Sequence, residues 1–216
     1  MALRIAALAL LLSAASWSAA SPCPDLTTPT VGVLLRFDRP PQRGFVNELR
    51  HTIEQIFQPA GLAFRWAVAP PEKEVCGHRT VTIELRGSCG TVLMRDAGDL
   101  ESLRELPLGW TFVVGGEVTP NSMIDCDRIT RVTLQIGLAR SHREWRNLLY
   151  VRLAGQVMAH ELMHALLRIS DHDGADLTRS PLRLEDFRRP PRLTPRQITA
   201  LRRIGPPSPT VSTGGR

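Results

Sequence analysis

The fold is decided by the stretch Leu153-Ala-Gly-Gln-Val-Met-Ala-His-Glu-Leu-Met-His-Ala-Leu-Leu167, within a predicted helix over about 147–169. Apolar residues occur on every side of this helix, which predicts that it is buried all round. Its polar side chains between 153 and 167 are those of Gln156, His160, Glu161 and His164. Ionisable groups are costly in a core unless they are paired or bind a metal. The stretch therefore predicts a functional site inside the protein.

The two histidines and the glutamate have the spacing of a metal-dependent hydrolase. Residues four apart stack on one helical face, so His160 and His164 can direct two imidazoles at one zinc ion. Glu161 lies about 100° round the helix from His160, which places its carboxylate beside an attacking water rather than on the ion. In such a site the carboxylate takes the water proton and returns it to the leaving group. The alternative is a pair of core histidines bonded to backbone groups, or a purely structural metal.

A catalytic zinc site needs a third protein ligand and one open position. His172 is the first candidate, because the turn after the helix can carry it back towards His164. Glu185 is the main rival, since some zinc enzymes use two histidines and a glutamate. Asp171 and Asp173 are more natural as turn residues or as hydrogen-bond partners of a ligand.

The N-terminus has the pattern of a cleavable export signal. Arg4 precedes a short apolar run and then small residues, which predicts cleavage after Ala20. The apolar run is too short to span a bilayer, and no later stretch approaches about 18 uninterrupted apolar residues. We therefore expect a secreted or periplasmic protein without a membrane segment once the signal is removed. A signal at 1–20, one domain at 21–205 and a disordered tail at 206–216 are the predicted divisions.

Four cysteines in an exported chain predict two disulfides. Three pairings are possible, and Cys76 with Cys89 is favoured because these two are close in sequence. That choice leaves Cys23 with Cys126. Metal binding by the cysteines is the alternative, but no pair has the two-to-four-residue spacing typical of zinc sites.

The charge pattern does not indicate a nucleic-acid partner. The net charge is +6, and Lys73 is the single lysine among 27 basic residues. The arginines are scattered and are not interleaved with aromatic residues, as they would be on a nucleic-acid surface.

The remaining segments predict an α+β fold, with the buried helix under a sheet. Helices are predicted over 45–59, over 99–105 and after Thr194-Pro195, where threonine is a cap and proline fits the first turn. A turn is predicted at 119–123. Strands are predicted over 31–37, 62–68, 80–85, 110–116 and 129–136.

Four segments together resemble a group of exported bacterial zincin-like proteins related to the metzincin metallopeptidases: His160-Glu-Leu-Met-His164, His172, Ala175-Asp-Leu177 and Leu193-Thr-Pro-Arg-Gln-Ile198. The resemblance covers about 156–204. It implies a zincin fold, with a mixed twisted sheet packed on an active-site helix. It also implies Zn²⁺ held by the three histidines, Glu161 as the catalytic residue, and a peptide or protein substrate.

The sequence departs from the metzincin pattern at several places, among them the spacing of the third histidine and Leu177. Metzincins have a shorter spacing with a glycine at the bend, whereas seven residues separate His164 from His172 and Leu167 occupies the glycine position. Leu177 stands where metzincins have a methionine turn beneath the metal. Besides a zinc metallopeptidase, a non-enzymatic exported zinc-binding module and a metal-free interaction domain remain open. Glu161 favours the enzyme, because a structural site needs no base and prefers four protein ligands.

Overall fold

The computed structural model describes residues 26–70, 75–90, 107–135, 142–172, 177 and 191–205. The predicted signal peptide, the predicted helix over 99–105 and the predicted tail lie outside these residues. The strands are β1 (Thr30–Phe37), β2 (Ala63–Val68), β3 (Arg79–Arg86), β4 (Gly109–Val114) and β5 (Glu117–Asp125). The α-helices are α1 (Phe45–Phe57), α2 (Cys126–Gln135), α3 (Arg143–Leu167) and α4 (Pro195–Leu201).

The strands form one mixed sheet in the order β2-β1-β3-β5-β4. The first four strands of this order are parallel to one another, and β4 is antiparallel to β5 at one edge. Alternate side chains of β1 point into the core, where Val31, Val33 and Leu35 are fully buried. The expected mixed sheet with helices is confirmed.

Helix α3 forms the centre of the core. Every residue from 153 to 166 is buried, which confirms the helix that the apolar run predicted. It packs against α1, whose apolar stripe of Phe45, Leu49, Ile53, Ile56 and Phe57 is also buried. On another side α3 packs against β3, β4 and β5, so the sheet lies directly beside the segment that carries the two histidines.

The strand predicted over 129–136 is wrong, because residues 129–135 belong to α2. Asp125 Oδ1 accepts a hydrogen bond of 2.9 Å from the Arg128 amide at the start of this helix. The hydroxyls of Thr130 and Thr133 then bond to the carbonyls four residues earlier. Such bonds let threonine fit a helix despite its branched side chain.

The turn predicted at 119–123 is also wrong, since β5 runs through it. The signal came from Pro120-Asn121, and here the ladder is irregular rather than ended. Thr111 pairs with Ser122 and Val113 pairs with Val118, so β5 has extra residues opposite Phe112. A proline lacks the amide that a regular ladder uses, and a bulge accommodates it.

One disulfide joins Cys89 to Cys126. Cys76 is also disulfide-bonded, and both predicted pairings, Cys76 with Cys89 and Cys23 with Cys126, are wrong. Cys76 and Cys89 flank β3, whose eight residues span roughly 26 Å at about 3.3 Å per residue. Cys126 follows β5, which is parallel to β3, so it lies at the same end of the sheet as Cys89.

The last helix begins as predicted. Thr194 caps α4, with its hydroxyl accepting from the Gln197 amide while the Gln197 side chain accepts from the Thr194 amide. Within the described ranges, no helix combines the length and the apolar character needed to cross a membrane.

Candidate metal centre

Three histidine side chains converge beside the sheet. His160 Nε2 lies 3.0 Å from His164 Nε2 and 3.2 Å from His172 Nε2. All three candidate ligand atoms lie within 4.8 Å of one another. Two nitrogens bound tetrahedrally to zinc at 2.0–2.1 Å are roughly 3.3 Å apart. Two of the three separations therefore already match those of a zinc site.

The end of α3 brings His172 back to the other two histidines. The helix ends at Leu167, and Arg168 adopts the left-handed conformation with φ 54° and bonds its amide to the His164 carbonyl. A glycine usually occupies such a position. The bend thus follows the position where metzincins have their glycine, and the longer spacing still returns an imidazole to the cluster.

Backbone carbonyls fix the tautomers of the two helix histidines. His160 Nδ1 lies 2.6 Å from the Leu177 carbonyl oxygen, and His164 Nδ1 lies 2.7 Å from the Ile169 carbonyl oxygen. A carbonyl oxygen only accepts, so each Nδ1 carries the proton of a neutral ring. Each Nε2 then presents a lone pair. Two lone pairs that face each other at 3.0 Å repel, unless a cation or a proton lies between them.

Burial keeps these imidazoles unprotonated at neutral pH. The pKa of His160 is lowered to about 4, mainly by burial and also by the neighbouring histidines, against a raising contribution from the bond to Leu177. Burial also lowers the pKa of His164. Unprotonated rings are the form that binds metal, so the pair would not have to release a proton to take up an ion at pH 7.

Leu177 contacts this site through its backbone carbonyl. It is buried, and its carbonyl holds His160, as described above. Sequence reasoning singled out this position as the place for a methionine and missed the role of its carbonyl. A carbonyl group leaves no signal in the identity of the residue, so side-chain patterns could not have found this contact.

Glu161 lies in the core next to strand β4. Its Oε2 is 2.8 Å from Thr111 Oγ1, which is also 2.9 Å from Ser122 Oγ. Burial raises the pKa of Glu161 to about 7, and the Thr111 hydrogen bond opposes this rise. Neither Thr111 nor Ser122 was anticipated, because both are distant from Glu161 in sequence.

Two further polar residues, His51 and Asp171, do not join the cluster. His51 is exposed on α1, and its Nε2 lies 2.9 Å from Gln55 Nε2. Asp171 is exposed and accepts a hydrogen bond of 3.5 Å from the Ser170 hydroxyl. Glu185 and Asp173 lie outside the described residues. Among the residues that the structure describes, the three histidines form the one group able to hold a metal.

Comparisons with known proteins add little to these observations. No model of a known protein family matches the sequence, and no curated protein matches it. Among solved structures, the chain is similar to an archaemetzincin from Methanopyrus kandleri, with 11% identity and a TM-score of 0.47. The similarity covers 83% of this chain and 97% of that one.

Proposed function

We propose that this chain is an exported zinc-dependent metallopeptidase, with one domain at 21–205 after a signal peptide at 1–20. His160, His164 and His172 hold the ion, and Glu161 is general base and then general acid. The observation that carries the proposal is the convergence of three imidazoles, two of them with lone pairs fixed towards each other, next to a buried carboxylate.

Zinc fits the donors that are present. Imidazole nitrogens are common zinc ligands, and a catalytic site has three protein ligands with a fourth position open. The carbonyl bonds to His160 and His164 orient the rings in the way that outer partners of zinc ligands do. When bound, the ion would make a water molecule more acidic and would polarise the carbonyl of a peptide bond.

Glu161 has the properties of a group that both accepts and returns a proton. A catalytic acid-base group works best when its pKa lies near the working pH, and burial raises the pKa of Glu161 to about 7. The carboxylate accepts a proton from the attacking water and then delivers it to the amine that leaves. A metal site with a purely structural role has no use for a buried acid of this kind.

The experiment measures zinc content and peptide cleavage on the same purified chains. We expect about one zinc per wild-type molecule and cleavage within a library of quenched fluorescent peptides. Glu161→Gln should keep the zinc and reduce kcat by about 10²-fold or more, because proton transfer contributes about that much. His172→Ala should lose zinc, since two imidazoles bind the ion less tightly than three.

Matched controls come from exposed residues of α1. His51→Ala and Glu48→Gln make the same chemical changes away from the cluster and should leave zinc content and cleavage as in the wild type. Glu185→Ala should keep the zinc; its loss, with zinc retained in His172→Ala, would transfer the third ligand to Glu185. A zinc-loaded wild type that cleaves none of the peptides would favour the non-enzymatic zinc-binding module.

A further inference from the structure

We propose that Thr111 and Ser122 are positioning residues for Glu161, a pair of hydroxyls that fixes one oxygen of its carboxylate. The inference rests on the proposed function, because it assigns these residues a task in the proton transfer performed by Glu161. Neither hydroxyl touches the substrate or the ion in this assignment; both act through the glutamate.

Strand β4 passes close to α3 where the glutamate lies. A Cβ atom added to Gly109 would lie 2.9 Å from Val157 Cγ1, so this strand approaches the helix as closely as a glycine allows. Thr111 points to the same side two residues later, and Glu161 follows Val157 by one helical turn. The strand therefore brings the Thr111 hydroxyl to the carboxylate.

Strand β5 supplies the second hydroxyl. Ser122 is directly opposite Thr111 in the antiparallel ladder, so the two side chains lie on the same face of the sheet. The Ser122 side chain is buried. The ladder is regular from Gly109 to Thr111 and becomes irregular immediately after this pair. The bulge thus begins just beyond the two hydroxyls, and bulges commonly lie beside functional sites.

The number of protons sets the direction of these hydrogen bonds. The Thr111 hydroxyl has one proton, and its oxygen lies 2.8 Å from Glu161 Oε2, 2.9 Å from Ser122 Oγ and 3.2 Å from the Glu161 carbonyl oxygen. An ionised carboxylate can only accept. Thr111 therefore donates to Oε2, and its oxygen accepts from the Ser122 hydroxyl. Each hydrogen bond in this series, from Ser122 through Thr111 to Glu161, strengthens the next.

The two carboxylate oxygens of Glu161 therefore have different roles. Oε2 is held by Thr111, while no described residue forms a hydrogen bond with Oε1. Fixing Oε2 restricts rotation of the carboxylate and leaves Oε1 for the proton in transit. A positioned group of this kind raises the rate of a step without strengthening substrate binding.

The test compares four variants with the wild type. Thr111→Val removes the hydroxyl at constant shape, Thr111→Ser keeps the hydroxyl, and Ser122→Ala removes the second one. Thr133→Val is the matched control, because Thr133 is also a buried threonine and its hydroxyl bonds to the Ile129 carbonyl within α2. Each chain is checked for zinc content and thermal unfolding.

The first measurement does not depend on activity. The carboxyl ¹³C signal of Glu161 is recorded in labelled, zinc-free chains at pH 9, where the group is ionised, and is assigned by its absence in Glu161→Gln. We expect Thr111→Val to shift this signal, whereas Thr111→Ser and Thr133→Val leave it near its wild-type position. An unchanged signal in Thr111→Val would overturn the proposal.

The second measurement is the rate of cleavage of the library peptide that the wild type cleaves fastest. Thr111→Val should lower kcat by roughly 10–100-fold, the usual cost of removing a group that supports a site residue by a hydrogen bond. KM and zinc content should be unchanged. Thr111→Ser should restore most of the rate, and Ser122→Ala should lose less than Thr111→Val. Equal rates in Thr111→Val and Thr133→Val would also overturn the proposal.

Failure of this inference is distinguishable from failure of the proposed function. If the zinc-loaded wild type cleaves no peptide, the proposed function fails, and the carboxyl signal alone decides whether Thr111 holds Glu161. If Thr111→Val does not fold, Ser122→Ala replaces it in both measurements. A Ser122→Ala chain with the wild-type signal and the wild-type kcat would then count against the proposal.

Discussion

Burial shifts the pKa values of His160 and Glu161 in opposite directions. The folded chain lowers the pKa of His160 from 6.5 to about 4 and raises that of Glu161 from 4.5 to about 7. In both cases the uncharged form is favoured, because a charge in the core is poorly solvated. Between about pH 4 and 7 both groups are therefore mainly uncharged when no ion is present.

These shifts predict how the stability of the zinc-free chain depends on pH. Between pH 4 and 6.5 the unfolded chain binds more protons at His160 than the folded chain, so stability increases as the pH rises. Between pH 4.5 and 7 the folded chain binds more protons at Glu161, so this contribution decreases as the pH rises. The two contributions largely cancel in the wild type between pH 4.5 and 6.5.

Glu161→Gln should remove the cancellation. We expect the free energy of unfolding of the zinc-free variant to rise between pH 4.5 and 6.5 by about 2–3 kcal/mol more than that of the zinc-free wild type, at about 1.4 kcal/mol per pKa unit. Urea unfolding at several pH values in the presence of a chelator measures this difference. Parallel curves for the two chains would mean that Glu161 is not protonated in the folded state at these pH values.

The contact between α1 and α3 depends on a glycine. A Cβ atom added to Gly155 would lie 2.5 Å from Thr52 Cγ2, which is closer than real side chains approach. Alanine favours a helix over glycine by about 1 kcal/mol, but overpacking costs roughly 1–3 kcal/mol. Thr52 has little freedom to move aside, because its side chain is branched at Cβ. The packing cost should therefore exceed the gain in helix propensity.

We accordingly expect Gly155→Ala to destabilise the chain by up to about 2 kcal/mol, the difference between these opposing effects. Thr52→Ser removes the methyl group that would clash, so the double variant should recover most of this loss. Urea unfolding of the two single variants and the double variant gives the coupling energy. A Gly155→Ala chain that is more stable than the wild type would show that the two helices separate at little cost.

The elements were predictable where a local pattern had one reading. The unbroken apolar run of α3 and the apolar stripe of α1 each fit a helix and do not fit a strand. At 129–136 the apolar residues fit a strand as well as a helix, and Asp125 and the threonine hydroxyls decided for the helix. The disulfide was mispredicted because closeness in sequence says nothing about which end of β3 a cysteine occupies.

The site divides in the same way. His160, Glu161 and His164 could be selected as candidates because their spacing along one helix is itself the signal, and His172 could be selected because the turn after the helix can carry it back towards them. Thr111 meets Glu161 across 50 residues of sequence. This contact depends on the register of β4 against β5 and on the approach of β4 to α3. No local pattern contains either relation, so the supporting hydroxyls required the folded chain.

The parallel sheet assembles the site from distant parts of the chain. β1, β3 and β5 are neighbours in the sheet although β2 and β4 separate them along the chain, and the antiparallel β4 lies at the edge beside β5. The helix supplies two of the histidines and the acid, whereas the edge hairpin supplies the hydroxyls. The position of the hairpin relative to α3 therefore matters for the proposed reaction.

The Cys89–Cys126 disulfide ties the two ends of the segment that contains this hairpin. The bond closes a loop with a sequence separation of 37, and a cross-link of that length lowers the entropy of the unfolded chain by an amount worth about 4 kcal/mol. The double variant Cys89→Ala/Cys126→Ala should therefore unfold at lower urea concentration, with a loss of about 2–5 kcal/mol. The comparison is made without reductant, because Cys76 is also disulfide-bonded. A loss below about 1 kcal/mol would mean that the unfolded chain gains little freedom when the bond is removed. Residual structure in the unfolded chain would then already confine the segment that forms β4 and β5.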